Sequence, residues 1–537
     1  MWDFLDLLIR LNSMDADPIW RLESRSSRPL MARLLLPHAQ LVNASASLMV
    51  TGVCERSNRC HLGDLFACIP GNQSNGLSYI DDAIKSGARA FLLDRPLPQL
   101  PYPQLITPNV RGDFSRLCHA LSGFPSHELT TAGITGTNGK TSATWLLQAI
   151  WRSVDIRSGL MGTIHHETGA ISPHESNLTT PTSAHLANLL RETHENHATH
   201  TALELSSHAL DQQRCAGLML NVAAITNVTR DHLDYHATFE QYLDAKARIA
   251  SHIKSGGTLW LNESSATYHL LRDALEGHQF DPIRLRTFGM TAHADLSASE
   301  IRSTKTGSRF IVTHQRQSVE TTLHLAGHHN VENALTAIAC ALSTGISLKD
   351  ACHGVSTLAH VPGRLQRVDA GQPFDVFVDY AHTPDGLTRV LQSLRSQTTG
   401  RLIVVFGAGG NRDIAKRPLM GHAVAKFADV MVLTSDNPRN EEPMSIIHQI
   451  FAGIPNTATG NVAIEADRHN AIAYAISKAE PGDTVLIAGK GHETTQTIGA
   501  QVIPFDDARV IHSLLSAPSI LPLDRPAHDT HPWRKTG

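Results

Sequence analysis

Short apolar runs separated by polar punctuation mark most of this chain. From Leu48 to Leu97 two β-like runs, LMVTGV and ARAFLLD, flank a helix at YIDDAIKSGA. Residues 1 to about 40 read as a partly disordered extension followed by a first helix. Pro125 and Ser126 mark a first linker. A strand at LTTAGI then runs into a glycine loop and the helix TSATWLLQAIW, and the strands TALELS and VAAITNV alternate with helices. That alternation predicts a mostly parallel sheet. A second boundary falls near Val361-Pro362-Gly363, after the helix NVENALTAIACALS. Beyond it FDVFVDY, RLIVVFG, DVMVLTS and DTVLIAG are apolar strands, each followed by a glycine-rich or polar loop. They predict a second α/β domain with its loops at the carboxyl ends of strands, where open sheets bind ligands. The polar tail after Leu521 reads as loose, and no internal repeat is visible.

With 537 residues the chain is too long for one core, and about three domains are expected, at 1–125, 126–360 and 361–537. Hydrophobic residues make up 41% and charged residues 18%, an ordinary globular balance. A net charge of −4 gives no field for steering the molecule onto nucleic acid or an anionic membrane, so anionic substrates must be caught by local sites. The seven cysteines form no C-x-x-C pair, which argues against a disulfide scaffold or zinc ribbon and fits a reducing cytoplasm. Asp3, Asp6 and Arg10 interrupt the apolar start, so it does not read as a signal peptide, and no apolar run approaches membrane-spanning length. A cytoplasmic, soluble monomer acting on small molecules is expected.

Chemistry enters with Gly133-Ile-Thr-Gly136-Thr-Asn-Gly139-Lys140-Thr141, set between a strand and a helix. Glycines let the backbone wrap a polyphosphate, and the N–H groups with the helix N-terminus supply positive potential. Lys140 can reach the β- and γ-phosphates, and Thr141 can ligate Mg²⁺. Glu204 ends one later strand and Asp231-His232 follow another, which would put hard-metal ligands beside Thr141 if the strands are parallel. Taken singly, Glu204 or His232 would more often be a solvated strand end. In FEQYLDAKARIA, residues Phe239, Tyr242, Lys246 and Ile249 share one helical face. An ammonium on a buried face is costly unless paired, so Lys246 either snorkels to solvent or is carbamylated by CO₂ into an anionic metal ligand.

The wording TGTNGKT resembles that of the Mur ligase and folylpolyglutamate synthetase superfamily. TNVTRDHLDYHATFEQYLDAK is similar to the stretch around a carbamylated lysine in these ligases. The resemblance runs from about Leu48 to Asp507 and implies an α/β fold with three-domain Mur ligase architecture: a UDP-substrate domain, a central P-loop ATPase domain and a C-terminal Rossmann-like domain. It implies that Lys246 is N6-carboxylysine and joins Thr141, Glu204 and His232 around Mg²⁺. It also implies a catalytic set of Lys140, Glu204, His232 and Lys246. ATP would be held by Gly136, Thr137, Asn138, Gly139, Lys140, Thr141 and Ser142. Asn330 and Asn333 of GHHNVENAL would lie on the adenine side, Arg364 near the γ-phosphate and Asp379 near the ribose. Thr179 and Thr180, with Ser206, Gln212 and Arg214 of ELSSHALDQQR, would contact a UDP-N-acetylmuramoyl peptide. Ser57 would contact the uracil. It lies in Arg56-Ser57-Asn58, where the family has Asp-Ser-Arg, ahead of the uridine-type segment GDLFACIPGNQSNG. Asn75 stands for a usual Asp, and Leu178 for a frequent Asn.

Three loops decide which amino acid is added: GAGGNRDIAKRP, DNPRNEEP and GKGHE. Meso-diaminopimelate has two carboxylates and two amines, so its pocket needs fork donors and an acceptor. Arg412 and Arg439 can each clasp a carboxylate, and Glu493 can hold an ammonium. The D-N-P-R wording resembles diaminopimelate-adding members of the family, while lysine-adding members lack this arginine. By that resemblance Arg412, Asp436, Asn437, Pro438, Arg439, Gly489 and Glu493 form the pocket, with Asn411 in place of a usual Asp. The implied reaction joins the amino acid to the nucleotide dipeptide through an acyl phosphate, with ATP going to ADP and phosphate. A lysine-adding ligase, a folylpolyglutamate synthetase-like ligase and a P-loop binding protein without ligase chemistry are the rivals. Arg439 speaks against the first and the DNPR and GKGHE pair against the second. The joint presence of Lys140, Glu204, His232 and Lys246 speaks against the third.

Overall fold

The computed structural model describes residues 23–516 apart from 72–74, 177, 279 and 281. The first 22 residues, the tail after Leu521 and the middle of GNQSNG lie outside the described residues.

The N-terminal extension is shorter than the sequence pattern implied. Residues Glu23–Met31 form a strand that pairs antiparallel with Met49–Cys54, and Gln40–Val42 pairs antiparallel with Gln104–Ile106. Both join a six-stranded sheet whose interior strands Met49–Cys54, Leu65–Ala67, Ala90–Leu93 and Gln104–Ile106 run parallel. The reason lies in pairing: a polar run such as ESRSSR has weak strand character alone and is recruited by the sheet edge. Pro125 and Ser126 open a short helical turn, Pro125–Glu128, into the next sheet.

The central sheet has eleven strands among the described residues. At its middle His200–Glu204, Thr130–Thr135 and Leu220–Ile225 lie side by side and parallel, with Glu204 opposite Ile134 and Ile225 opposite Thr135. Their carboxyl ends therefore deliver Glu204, the glycine loop and the Asp231-His232 segment to one edge. Strands buried on both faces read as unbroken apolar runs, which is why these were visible in sequence. Helices Lys140–Ser153 and His329–Ser343 cover one face, with Leu146, Leu147, Trp151, Leu335 and Ile338 in a shared core. At the far end Leu296–Thr304, Gly307–His314 and Gln317–Leu323 add an antiparallel meander.

In the third unit Asp375–Asp379, Thr484–Ala488, Leu402–Phe406, Val430–Leu433 and Val462–Ile464 form a parallel sheet, edged by the short strand Gln366–Arg367. Its last helix, Asp507–Ser516, is tied down by a fully buried ion pair between Asp507 and Arg468 at 2.7 Å. The same guanidinium donates to the carbonyls of Ser435 and Ala488, so it staples two strand ends. Asp385, in the first turn of the helix Pro384–Arg395, joins this unit to the central one. It accepts from Asn138 Nδ2 at 2.9 Å and Thr229 Oγ1 at 3.2 Å, and pairs with Arg389 on its own helix.

Candidate active site

The glycine loop is held by its neighbours. Gly139, at φ 90°, caps the helix Lys140–Ser153, and a Cβ there would strike Asn333 Oδ1. Only glycine combines that backbone with that close approach. Lys140 is folded back, its Nζ donating to the carbonyls of Gly136 and Thr137 at 2.8 and 3.0 Å. Burial lowers its pKa, with the Glu204 carboxylate opposing. Glu204 is buried, accepts from Thr141 Oγ1 at 2.9 Å and from the Thr163 N–H at 2.8 Å. Arg364 crosses from the third unit, donating to Thr141 Oγ1 at 3.0 Å with its guanidinium over the Tyr380 ring. Asn333 donates to Asn330, which donates to the Ala326 carbonyl. Asp379 accepts from the N–H groups of Leu365 and Ala381, and burial raises its pKa. These residues line a cavity of about 220 Å³ together with Thr137, Asn138, Ser142 and His232.

Thr141 Oγ1 and the Glu204 carboxylate form a pair of hard oxygen donors, and His232 lies on the same wall. That set fits Mg²⁺, which keeps waters and phosphate oxygens in most of its positions. Among the described residues no three His, Cys, Asp or Glu side chains are gathered to hold a metal by themselves. Lys246 does not snorkel: it is 1% exposed. Its Nζ lies 4.6 Å from the centre of the Tyr242 ring and has no hydrogen bond or carboxylate partner among the described residues. Burial and then Lys140 push its pKa well below the ordinary lysine value, with Asp231 opposing.

A second cavity, of about 700 Å³, opens beside the first. The central unit contributes Thr179, Ser206, Gln212 and Arg214 to its wall, and the third unit contributes Arg412, Asp436, Asn437, Arg439, Gly489 and Glu493. Thr180 is buried behind the wall, bonded to the Glu204 carbonyl and the Ser206 N–H. Arg214 donates to the Thr180 carbonyl at 2.6 Å. Ser57 lies on a 3-10 turn and lines neither cavity, and Lys246, Gly136 and Pro438 line neither as well. Glu55 and Arg111 reach the wide cavity from the first unit instead.

The three loops of the third unit brace one another. Arg439 has a left-handed backbone at φ 52°, pinned by its N–H to the Thr497 carbonyl and by its own carbonyl to the Gly499 N–H. Its Nη1 donates to the Gly410 carbonyl at 2.7 Å. Asn437 Nδ2 and Lys490 Nζ both donate to Glu493 Oε2, at 2.8 and 2.9 Å, and Lys490 is fully buried. Asn411 also has a positive φ, 54°, which Asn tolerates better than most residues, and its N–H donates to Glu441. A neutral side chain there avoids a second negative charge beside that carboxylate. Glu441 in turn pairs with the fully buried Arg417 at 2.8 Å.

Sequence reading passed over Lys490, Lys416, Arg417, His382 and Asp385. The signal available was position alone: Lys416, Arg417 and Lys490 lie in the loops already singled out, and His382 and Asp385 follow the strand FDVFVDY that carries Asp379.

A strand–glycine loop–helix unit facing a Rossmann-like unit across a shared cleft defines the class: an ATP-dependent ligase of three-domain build. The family description "Mur ligase middle domain" matches residues 134–341, and "Mur ligase, glutamate ligase domain" matches residues 363–491. A UDP-N-acetylmuramoyl-L-alanyl-D-glutamate–2,6-diaminopimelate ligase of Caldanaerobacter subterraneus is 37% identical over 88% of this chain and 96% of its own length. One of the same name from Syntrophomonas wolfei is 39% identical over 87% and 94%. A solved ligase of that name superposes with a TM-score of 0.65 at 30% identity, covering 91% of this chain and 99% of the other. A Mycobacterium tuberculosis folylpolyglutamate synthase complexed with ADP shares the fold at TM-score 0.57 and 17% identity, over 70% of this chain and 91% of its own. The chain belongs to the Mur ligase family.

Proposed function

We propose that this protein joins meso-diaminopimelate to UDP-N-acetylmuramoyl-L-alanyl-D-glutamate, with ATP going to ADP and phosphate, as a step of peptidoglycan precursor synthesis. The observation that carries the reading is the composition of the wide cavity. Candidate peptide-holding residues Thr179, Ser206, Gln212 and Arg214 face Arg412, Asp436, Arg439 and Glu493 across one space. An amino acid with a carboxylate and an amine at each end matches two guanidinium forks set with two carboxylates.

In the first half-reaction the γ-carboxylate of the D-glutamyl terminus attacks the γ-phosphorus of ATP, and the bond from that phosphorus to the bridging oxygen breaks as ADP leaves. Lys140, released from its loop carbonyls, and Arg364 neutralise the transferred oxygens. Mg²⁺, held through Thr141, Glu204 and His232, would supply further positive charge at those oxygens. In the second half-reaction the amine attacks the acyl phosphate carbon and phosphate leaves. Catalysis consists of positioning and charge neutralisation, without a protein nucleophile. Burial and the Lys140 ammonium favour the neutral amine of Lys246, the form that attacks CO₂ in carbamylation, and the product would be an anion facing Lys140. The burial of all seven cysteines, with no C-x-x-C pair among them, fits a reducing, cytoplasmic setting. Among the described residues no helix is long and apolar enough to cross a membrane.

Phosphate release from ATP and the nucleotide dipeptide, measured against a panel of free diamino acids, tests the reading. Strong preference for meso-diaminopimelate is expected. Equal or better turnover with lysine would replace it by the lysine-adding reading.

A further inference from the structure

Thr163, Thr179, Asp231, His232, Tyr380 and His382 line both cavities. They form the neck where a phosphorylated carboxyl from one side and an amine from the other must meet. An amine that attacks a carbonyl carbon has to lose a proton, so a proton acceptor at this neck has a task. Four of the six can titrate. Burial first, and then the Glu493 carboxylate, pushes the Tyr380 hydroxyl up to about 12, so it is no acceptor at neutral pH. Burial raises Asp231, but His232, His382 and Lys416 outweigh it and hold that carboxyl low, and its Oδ2 is paired with His232 Nε2 at 3.5 Å. His232 is the candidate ligand on the nucleotide side.

His382 differs from these. Its Nδ1 lies 2.8 Å from the Tyr380 carbonyl oxygen, an atom that can only accept, so Nδ1 carries the proton. The ring packs edge-on to Tyr380 at 4.7 Å, which fixes its plane. Nε2 is left as a lone-pair acceptor with no hydrogen bond among the described residues, on a side chain that borders both cavities. Burial and the Lys416 ammonium keep the imidazole neutral, with a pKa near 4, while Asp231 and Asp436 favour the protonated form. The helix Pro384–Arg395 that follows holds the segment in place through the Thr383 cap.

We propose that His382 Nε2 is the proton acceptor for the amine in amide formation, a role that rests on the ligase reading above. The amino acid arrives as an ammonium ion, and Nε2 takes one of its protons. The lone pair so freed forms the N–C bond as the carbonyl π pair moves onto oxygen. The tetrahedral intermediate then re-forms its C=O bond as the C–O bond to phosphate breaks; phosphate leaves with that electron pair and takes the second N–H proton, and the imidazolium returns its proton to water. Bound phosphate and the amino-acid carboxylates add negative charge around the ring and raise its basicity toward the working pH.

Hydroxylamine separates the two half-reactions, because it is already unprotonated at neutral pH and captures acyl phosphates as hydroxamates. His382→Asn keeps a side-chain N–H for the Tyr380 carbonyl and removes Nε2. It should lose about 10²–10⁴-fold in kcat for diaminopimelate, far more than it loses in hydroxamate formation, with KM for the amino acid little changed. Added imidazole should restore amide formation to His382→Ala. Equal losses in both reactions, no rescue, or an amide rate like the wild type's would each overturn the assignment. Wild-type enzyme that forms no hydroxamate from the nucleotide dipeptide would instead remove the ligase reading, and the assignment with it.

Discussion

Lys246 puts an amine in a place where a charge has almost no support: 1% exposed, with a tyrosine face as its nearest aid. If it works as a carbamate, Lys246→Ala should be nearly inactive and should recover with short-chain carboxylic acids, which replace the lost anion. Lys246→Arg should not recover, since a guanidinium fills the space with the wrong charge. Initial rates with and without added formate or acetate decide it, and an Ala variant of undiminished activity ends the idea. Arg439 gives a second residue-scale expectation. One of its nitrogens is bound to the Gly410 carbonyl, which aims the fork and leaves its other N–H groups for a ligand. Losing a charge-assisted hydrogen bond of roughly 1.5–3 kcal/mol should raise KM for diaminopimelate about ten- to a hundredfold in Arg439→Ala. Lysine, lacking the distal carboxylate, should lose little, so kcat/KM for both amino acids in both enzymes forms a four-way check. Equal weakening of both would make Arg439 a structural loop residue. That Lys140, Glu204 and Arg439 would stand on cavity walls was legible in the sequence, because each sits in a local motif. His382 and Lys490 were not, because a tautomer or a buried ammonium is defined by partners that only folding supplies.

The elements themselves were legible where they are buried on both faces. FDVFVDY and RLIVVFG could hardly be anything but parallel strands, and both are. The meander Leu296–Leu323 escaped notice because one side of it stays polar, and the strand Glu23–Met31 because it opens on the wholly polar run ESRSSR; pairing rather than pattern made them strands. Element-scale stability rests on a similar cross-chain dependence at Arg468 and Asp507, both fully buried. Asp507→Ala strands the guanidinium and should cost about 3–5 kcal/mol. A double change to leucine at both positions should recover most of that loss. Denaturant midpoints of the three proteins measure it, and a single variant as stable as wild type would show that the pair is dispensable.

For the whole molecule, Asp385 is the contact to watch, since its one carboxylate holds Asn138 of the glycine loop, Thr229 near the metal-side segment and Arg389 of the third unit. Such a shared contact ties the glycine loop to the third unit, and any coupling of two binding sites through it is reciprocal. In Asp385→Ala the affinity for diaminopimelate should cease to depend on whether a non-hydrolysable ATP analogue is bound. Calorimetric titrations with and without the analogue test this, and unchanged coupling would clear Asp385 of the role. The burial of Lys246 bears on the molecule in another currency, time. If Lys246 is the carbamate proposed above, CO₂ has to reach a side chain with almost no exposed surface, which requires the domain around it to open locally. Loading and unloading should then follow the opening rate rather than the gas supply. Enzyme freed of CO₂ and handed bicarbonate should wake with a lag that shortens at first and then stops responding to dose. Such an enzyme would carry a short memory of the atmosphere it last equilibrated with.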